Sequence, residues 1–204
     1  MRLLTIPTRR DWTRGVCRRK PPAVASTPIS PHAPGEQIRF AVETCALGCF
    51  LVAWSGHGIV AVLFQDSAHE AIFELASRFP RAELVGPQWA RECETVRVVV
   101  EDPRLAFEGT VDVRGSSFQN KVWDRLRRIP AGCTVSYKRL AADLGMPGAV
   151  RAVARACASN PLAVVVPCHR VVGADGALRG YRWGVSRKHA LLLREGAFAD
   201  TRAG

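Results

Sequence analysis

The sequence has no apolar run that approaches the roughly 18 residues of a membrane-spanning helix. Its opening residues, Met1 to Ile6, are too short and too soon interrupted by charge to resemble a secretory leader. We therefore expect an intracellular, cytoplasmic protein with no membrane partner. With 204 residues and 48% hydrophobic side chains, the chain has enough apolar material for one or two folded domains.

A disulfide framework is also missing. The seven cysteines are odd in number and irregularly spaced, which is typical of a protein from a reducing compartment. Cys45 and Cys49 lie four residues apart, but no second Cys or His pair follows at the spacing of a structural zinc site. The sequence therefore predicts no bound metal, and nothing in it indicates another cofactor.

Acidic residues are scarce in all but the middle of the chain. The net charge is +11; residues 36–115 have a net charge of −5, whereas residues 116–204 have a net charge of +10. A basic block of this size predicts that the last ninety residues bind a polyanion. A generally basic composition without a nucleic-acid partner is the alternative that charge alone leaves open.

The first half predicts a tail followed by a small α/β domain. Residues 1–35 are basic and rich in proline, without apolar periodicity, so we expect a flexible tail. The domain, over 36–114, should begin with an antiparallel sheet, because three apolar segments are separated by glycine-containing turns. The segments are 38–44, 49–55 and 59–65, and helices are predicted over 68–78 and about 87–100.

The second half predicts a mainly helical domain over 115–198. Apolar stripes indicate helices at 116–128, at 134–144 with Ser136 as its cap, and at 149–158. The last two are joined by a glycine-containing turn, which is the pattern of a helix-turn-helix, although any helical hairpin can look like it. Arg151 and Arg155 share one face of the second of these helices, which favours the DNA-binding interpretation.

One cysteine has an unusual setting. Cys168 follows the apolar run 162–166 and Pro167, and is itself followed by His169, Arg170 and a loop over 173–184. A cysteine next to an apolar run is most often an inert buried residue. The basic neighbours and the Gly/Arg-rich loop, which could close over a ligand, instead favour a reactive site.

A reactive thiol needs a base, because only a few per cent of an unperturbed thiol is ionised at neutral pH. Neighbouring residues of an extended segment point to opposite sides, so His169 should reach Cys168 only through a water or after a bend at Pro167. A carboxylate would orient the histidine. After residue 175 the only acidic residues are Glu195, at the end of an apolar helix, and Asp200.

Five motifs identify a family resemblance that runs from about residue 38 to residue 196. They are Val135-Ser-Tyr-Lys-Arg-Leu-Ala, Arg151-Ala-Val-Ala-Arg-Ala, Ala158-Ser-Asn-Pro, Val166-Pro-Cys-His-Arg-Val-Val and Gly180-Tyr-Arg-Trp-Gly-Val-Ser-Arg-Lys. In these the sequence resembles the alkylguanine-DNA alkyltransferases, or methylated-DNA–protein-cysteine methyltransferases. The resemblance implies a ribonuclease H-like α/β N-terminal domain and a winged-helix-like C-terminal domain with a helix-turn-helix.

The resemblance also implies roles for residues at matching positions. Cys168 would accept the alkyl group, His169 would act on it through a water, and Glu195 would orient the histidine. Tyr137 would lie beside the flipped guanine and donate a proton to the departing base, and Asn160 would brace the site.

Further roles concern the DNA and the pocket. Arg151 would fill the base stack where the guanine has left, with Arg155 beside it on a helix in the minor groove. The backbone of Val171 and the side chain of Tyr181 would line the pocket. Arg182 and Trp183 add bulk there, so we expect fast removal of methyl groups and poor reaction with free benzylguanine.

The function that follows is a stoichiometric, irreversible repair reaction on double-stranded DNA by a monomer. The alkyl group would leave the O6 of guanine, less readily the O4 of thymine, and base flipping would expose it. A damage-binding relative without catalysis would be expected to lack the acceptor cysteine. A helix-turn-helix regulator that uses Cys168 as an alkylation or redox sensor is the other alternative. The sequence shows no four-cysteine metal module or second DNA-binding domain of the kind that regulatory members carry.

Overall fold

The computed structural model describes residues 35–197. The predicted tail over 1–35 lies outside these residues except for Gly35, and Asp200 lies outside them as well. The described chain forms two compact units. One contains residues 35–120 together with 161–165, and the other contains residues 121–160 and 166–197. No helix in this part of the chain is both long enough and apolar enough to cross a membrane.

The first unit is built on a four-stranded sheet in the order β3-β2-β1-β4. The predicted meander is present as β1 (Gln37–Cys45), β2 (Gly48–Ser55) and β3 (Gly58–Gln65), with antiparallel pairing. A fourth strand, β4 (Glu83–Val85), pairs with β1 in parallel. The antiparallel meander is confirmed, but the sheet as a whole is mixed, because the unpredicted fourth strand is parallel to its neighbour. Three half-exposed residues carry too little hydrophobic pattern to reveal β4 in the sequence.

Two helices pack on this sheet. The first, α1 (Ala68–Arg78), has the predicted bounds, and the Ser67 hydroxyl caps it by accepting a hydrogen bond from the Glu70 amide at 3.2 Å. The second, α2 (Arg91–Glu101), begins later than the predicted residue 87. The preceding segment instead lies along β1, because the Gln88 amide donates to the Phe40 carbonyl at 3.0 Å.

The helix α3 (Ser117–Leu126) begins with a reciprocal cap of the kind that Ser-x-x-Gln sequences favour. The Ser116 hydroxyl accepts from the Gln119 amide at 3.2 Å, and the Gln119 side-chain oxygen accepts from the Ser116 amide at 2.7 Å. Further along, the Trp123 indole donates to the Ala156 carbonyl at 2.7 Å. This bond ties α3 to the helix that carries the two predicted DNA-binding arginines.

The two helices predicted for the helix-turn-helix are present as α4 (Tyr137–Asp143) and α5 (Val150–Ala158). Ser136 caps α4 as predicted, accepting from the Arg139 amide at 3.1 Å. The predicted start of α4 at residue 134 is wrong, because β5 (Val135–Ser136) pairs in parallel with β6 (Val171–Val172). The partner strand is more than thirty residues away, so local sequence could not show this pairing.

The segment before Cys168 is irregular. The Val62 amide donates to the Pro161 carbonyl, and the Ala163 amide donates to the Val62 carbonyl, which fastens the segment to β3. Val164 has a φ of +65°, a left-handed conformation that a β-branched residue rarely adopts. The last helix of the described residues is α6 (Val185–Arg194), whose buried face includes Leu191 and Leu192.

Candidate active site

Cys168 opens a short 3₁₀ turn, Cys168–Arg170, rather than continuing an extended segment. Its amide donates to the Val166 carbonyl at 2.8 Å, and the Arg170 amide donates to the Pro167 carbonyl at 3.0 Å. The extended geometry assumed for this segment is therefore wrong. A bend at Pro167 was the alternative, and the chain does turn at this residue.

Asn160 forms a hydrogen bond to the sulfur of Cys168. It follows the end of α5 and is fully buried, and its Nδ2 donates to the Val166 carbonyl at 2.8 Å and to the Cys168 Sγ at 3.2 Å. The two protons of one amide group thus fix both the sulfur and the backbone two residues before it. This contact orients the thiol and would strengthen if the sulfur became negative.

His169 and Glu195 form a buried pair. The His169 Nε2 lies 2.8 Å from the Glu195 Oε1, and both side chains are shielded from solvent. Burial acts to raise the pKa of Glu195, but bonds and charges from His169 and Arg170 outweigh it and hold the pKa below its usual value. An ionised carboxylate only accepts, so Nε2 must carry the proton.

The other imidazole nitrogen is then a bare acceptor. His169 Nδ1 is buried and has no hydrogen-bond partner among the described residues. Burial lowers the pKa of His169, and the charges of Arg170 and Lys188 lower it further, against the opposing effect of Glu195. The ring is therefore neutral at physiological pH and can take up a proton at Nδ1.

Arg170 completes the cluster, in a role that the sequence did not reveal. Its Nε and Nη2 donate to Glu195 Oε1 at 3.0 and 2.8 Å, and its Nη1 donates to the Ile129 carbonyl. The Gly132 amide also donates to Glu195 Oε2, at 3.3 Å. Arg170 follows the reactive Cys-His pair directly, and this position was the only signal that could have pointed to it.

The electrostatics favour a protonated resting thiol. Burial raises the pKa of Cys168 to about 11, although the Asn160 hydrogen bond and the charges of Lys188 and Arg182 pull it down. A thiol with this pKa needs a base to become nucleophilic at neutral pH. The neutral His169 is the basic side chain next to it in sequence.

Lys188 is a second buried cation that the sequence analysis missed. It is fully buried on α6, and its Nζ donates to the Val171 carbonyl and, at 3.3 Å, to the Arg179 carbonyl. Burial lowers its pKa to about 8, while Cys168 and Cys157 act in the opposite direction. A signal was available, because Lys188 lies three and four residues before Leu191 and Leu192, on the apolar face of the helix.

Two tyrosines lie near the sulfur. Burial raises the pKa of Tyr137 to about 12, and Cys157 and Cys168 contribute. Burial also raises the pKa of Tyr181, whose hydroxyl is buried without a partner in the described chain. Both phenols therefore stay protonated. The rings of Tyr181 and Trp183 meet edge to face with centroids 5.2 Å apart.

The remaining predicted pocket residues occupy different environments. Trp183 is buried, whereas Arg182 is exposed and its guanidinium donates to the Ala158 carbonyl at 3.3 Å. Val171 is buried, and its carbonyl is engaged by Lys188. The structure thus places Arg182 at the end of α5 and Trp183 against Tyr181.

The predicted DNA-binding arginines lie on the exposed face of α5. Arg151 and Arg155 are both solvent-exposed and one helical turn apart, while Val153, Ala156 and Cys157 face inward. This arrangement leaves both guanidinium groups accessible to a ligand. Within residues 35–197, no group of three or more His, Cys, Asp or Glu side chains is arranged to hold a metal ion.

The comparisons with known proteins point to one family. Residues 117–197 match the family described as 6-O-methylguanine DNA methyltransferase, DNA binding domain. The chain is 41% identical over 146 residues to the inducible methylated-DNA–protein-cysteine methyltransferase of Bacillus subtilis (strain 168), covering 70% of this chain and 82% of that protein.

Two further similarities extend this result. The chain is 49% identical over 163 residues to the bifunctional transcriptional activator/DNA repair enzyme Ada of Escherichia coli (strain K12). That match covers 78% of this chain but only 45% of the length of Ada. The structure of the Mycobacterium tuberculosis protein OGT in complex with DNA is 31% identical, with a TM-score of 0.65, covering 78% of this chain and 93% of that one.

Proposed function

Because the chain belongs to the methylated-DNA–protein-cysteine methyltransferase family, we propose that it repairs DNA by transferring an alkyl group from O6 of guanine to Cys168. The observation that carries the proposal is the environment of the sulfur. Cys168 Sγ accepts a hydrogen bond from Asn160 and belongs to the same turn as His169, whose Nε2 is bonded to a buried carboxylate. This arrangement can generate and stabilise a thiolate at one position.

The reaction begins with the thiol proton. The neutral His169 offers Nδ1 as the acceptor, and a water between sulfur and nitrogen would carry the proton. Glu195 stabilises the imidazolium that forms, in the manner of the third member of a catalytic triad. The Asn160 amide stabilises the negative sulfur.

The transfer itself is a displacement at carbon. The Cys168 sulfur forms a bond to the alkyl carbon, and the bond between that carbon and O6 breaks with its electrons remaining on guanine. Tyr137 donates a proton to the departing base. The Tyr137 phenolate then regains a proton from the His169 imidazolium, which holds the proton that came from the Cys168 thiol. The net result is a thioether on the protein and ordinary guanine in the DNA. Because a thioether is not readily hydrolysed, each molecule acts once.

The DNA partner is proposed from the exposed face of α5. Chemistry on a paired base requires its removal from the stack, at a cost of a few kcal/mol. Arg151 would occupy the gap from the minor groove, and Arg155 would contact phosphate. We also propose the finer description of the fold, a ribonuclease H-like first unit and a winged-helix-like second unit.

The pocket proposal concerns Tyr181, Trp183 and the Val171 backbone. Trp183 is buried against Tyr181, so an indole and a phenol would limit the width of the space beside the flipped base. Arg182, at the end of α5, would close its solvent side. A narrow pocket of this kind favours methyl over larger groups such as benzyl.

Stoichiometry tests the proposed function. Increasing amounts of a duplex with one O6-methylguanine are added to a fixed amount of protein, and the restored guanine is quantified. We expect one guanine per protein molecule and then no further reaction. Continued turnover, or no restored guanine at any ratio, would contradict the proposal. Modification of Cys168 by oxidants or free alkylating agents with no restored guanine would favour the sensor alternative.

Arg151 provides a prediction about base flipping. At saturating DNA, Arg151→Ala should slow repair in duplex by about 10- to 100-fold, but should slow reaction with the free modified base by less than about 3-fold. The reason is that a flipped base leaves a gap in the base stack of a duplex, which Arg151 would fill, whereas the free base leaves no gap. Single-turnover rates on both substrates measure the difference, and Arg91→Ala, at an exposed arginine of α2, is the matched control. Equal losses on both substrates would mean that Arg151 has a structural role.

A further inference from the structure

We propose that Arg170 is a positioning residue for the transfer reaction, because its guanidinium fixes Glu195 so that His169 keeps its proton on Nε2 and offers Nδ1 as the base. This inference rests on the proposed function and adds a residue to its machinery. The observations that support it are the contacts of the buried Glu195 carboxylate.

The Glu195 carboxylate is held from three sides. Arg170 donates to Oε1 through Nε at 3.0 Å and Nη2 at 2.8 Å, and Nε also lies 3.2 Å from Oε2. The Gly132 amide reaches Oε2 at 3.3 Å, and His169 Nε2 lies 2.8 Å from Oε1. A carboxylate with these contacts cannot rotate without losing several bonds at once.

The guanidinium is itself anchored. Its Nη1 donates to the carbonyl of Ile129, in the turn that ends α3. The next turn contains Gly132 in the left-handed region, with a φ of +75°, and a side-chain carbon there would come within 2.9 Å of the Glu195 carbonyl. This turn therefore packs directly against Glu195, and a glycine is required for so close an approach.

Arg170 is needed because Glu195 on its own would be unstable as an anion. A buried carboxylate without a cation takes up a proton rather than remain charged. A protonated Glu195 could donate to His169 Nε2, and the ring would then carry its proton on Nδ1. In that tautomer the histidine cannot accept the proton of Cys168. The guanidinium prevents this by keeping the carboxylate ionised.

The charged groups around His169 fix the sign of the pH effect. They are Glu195, which raises its pKa, and Arg170 and Lys188, which lower it, while the Cys168 thiol and Tyr181 phenol are neutral. Without Arg170, the Glu195–His169 pair takes up a proton at higher pH. The base is lost whichever member of the pair holds that proton. The acid limb of the rate profile must therefore move to higher pH.

Single-turnover methyl transfer from duplex DNA should be measured across pH for the wild type, Arg170→Met and Arg170→Lys. We expect the Arg170→Met rate to be at least about 10-fold below wild type near about pH 6, and within about 3-fold near about pH 8.5, since one pKa unit changes the base fraction tenfold. Arg170→Lys restores the charge without the two-pronged contact, so its acid limb should lie between the other two.

The matched control is Arg125→Met. It removes an arginine that pairs with Asp143 at 2.6 Å in the same unit and is similarly shielded, so it reports loss of stability alone. Its acid limb should coincide with that of the wild type. An Arg170→Met deficit that is the same at every pH would overturn the inference, because a purely structural role produces that result. A wild type that transfers no methyl group would overturn the proposed function, and the inference with it.

A measurement that needs no Arg170 variant covers the case in which Arg170→Met does not fold. Nitrogen-15 spectra of the free protein at neutral pH report the tautomer of each histidine, and His169→Gln identifies the His169 signals among the five histidines of the chain. We expect a protonated Nε2 and an unprotonated Nδ1 at His169. A protonated Nδ1 would overturn the inference even if repair is normal.

Discussion

Cys168→Ala is expected to abolish alkyl transfer, with a loss of more than about 1000-fold, because removal of a covalent nucleophile leaves no alternative route. The sulfur is buried and bonded to Asn160, and none of the other six cysteines has a histidine and an arginine directly after it. Restoration of guanine in a methylated duplex, followed by chromatography of the digested DNA, measures the effect.

The controls separate the chemistry from folding and binding. Cys93→Ala also removes a fully buried thiol, from α2, and should retain transfer, because Cys93 is followed by glutamate and threonine rather than by a histidine and an arginine. Cys168→Ala should still bind duplex DNA, since Arg151 and Arg155 are unchanged. Any transfer by Cys168→Ala above the background rate would show that another residue is the acceptor.

Asn160→Ala is expected to lower the transfer rate by about 10- to 100-fold. The amide donates to the sulfur at 3.2 Å, and a hydrogen bond to a charged group contributes about 1.5–3 kcal/mol, which corresponds to that range. The thiolate loses more than the neutral thiol, so the pKa of Cys168 should rise as well. Single-turnover kinetics and titration with a thiol-reactive reagent measure the two effects.

Asn160→Asp distinguishes electrostatic from steric causes. It preserves the size of the side chain but places a carboxylate beside the sulfur, which would repel a thiolate. We expect a larger loss than in Asn160→Ala, with a higher pKa of Cys168. If Asn160→Asp reacted as fast as the wild type, neither hydrogen bond donated by the amide, to the sulfur or to the Val166 carbonyl, would be needed for the transfer.

The parts of the fold that the sequence predicted are those with local signals. The meander β1-β2-β3 is confirmed, and it could be predicted because each strand contains several apolar residues and glycines mark the turns between the strands. Ser136, the predicted cap, lies directly before α4, and the helix start predicted at residue 116 lies one residue before the start of α3. The strands β4, β5 and β6 have two or three residues each and pair with distant segments, so no local pattern contains them.

The candidate site was predicted in part through the motifs and in part missed. Cys168, His169 and Glu195 were candidates from their setting in the sequence, and the family resemblance added Asn160. The structure bonds Asn160 to Cys168 and His169 to Glu195. Extended geometry was wrongly assumed around Cys168 because a five-residue apolar run ordinarily predicts a strand. The conformation of that segment is set instead by its backbone hydrogen bonds to β3.

Arg170 and Lys188 show why the remainder could not be predicted. Both are charged residues that ordinarily lie at the surface. Their burial depends on partners that tertiary structure supplies. These are Glu195 and the Ile129 carbonyl for Arg170, and the Val171 and Arg179 carbonyls for Lys188. Carbonyl positions are set by tertiary structure, and a sequence does not specify them directly.

The identity of the acceptor atom can be measured directly by mapping the adduct after one round of repair. The protein is incubated with a duplex containing O6-methylguanine, digested, and analysed by mass spectrometry. We predict that a methyl group replaces the thiol hydrogen on the peptide that contains Cys168, in proportion to the guanine restored, and on no other peptide. A methyl group mainly on Cys157 or Cys133, or restored guanine without any protein adduct, would contradict the account.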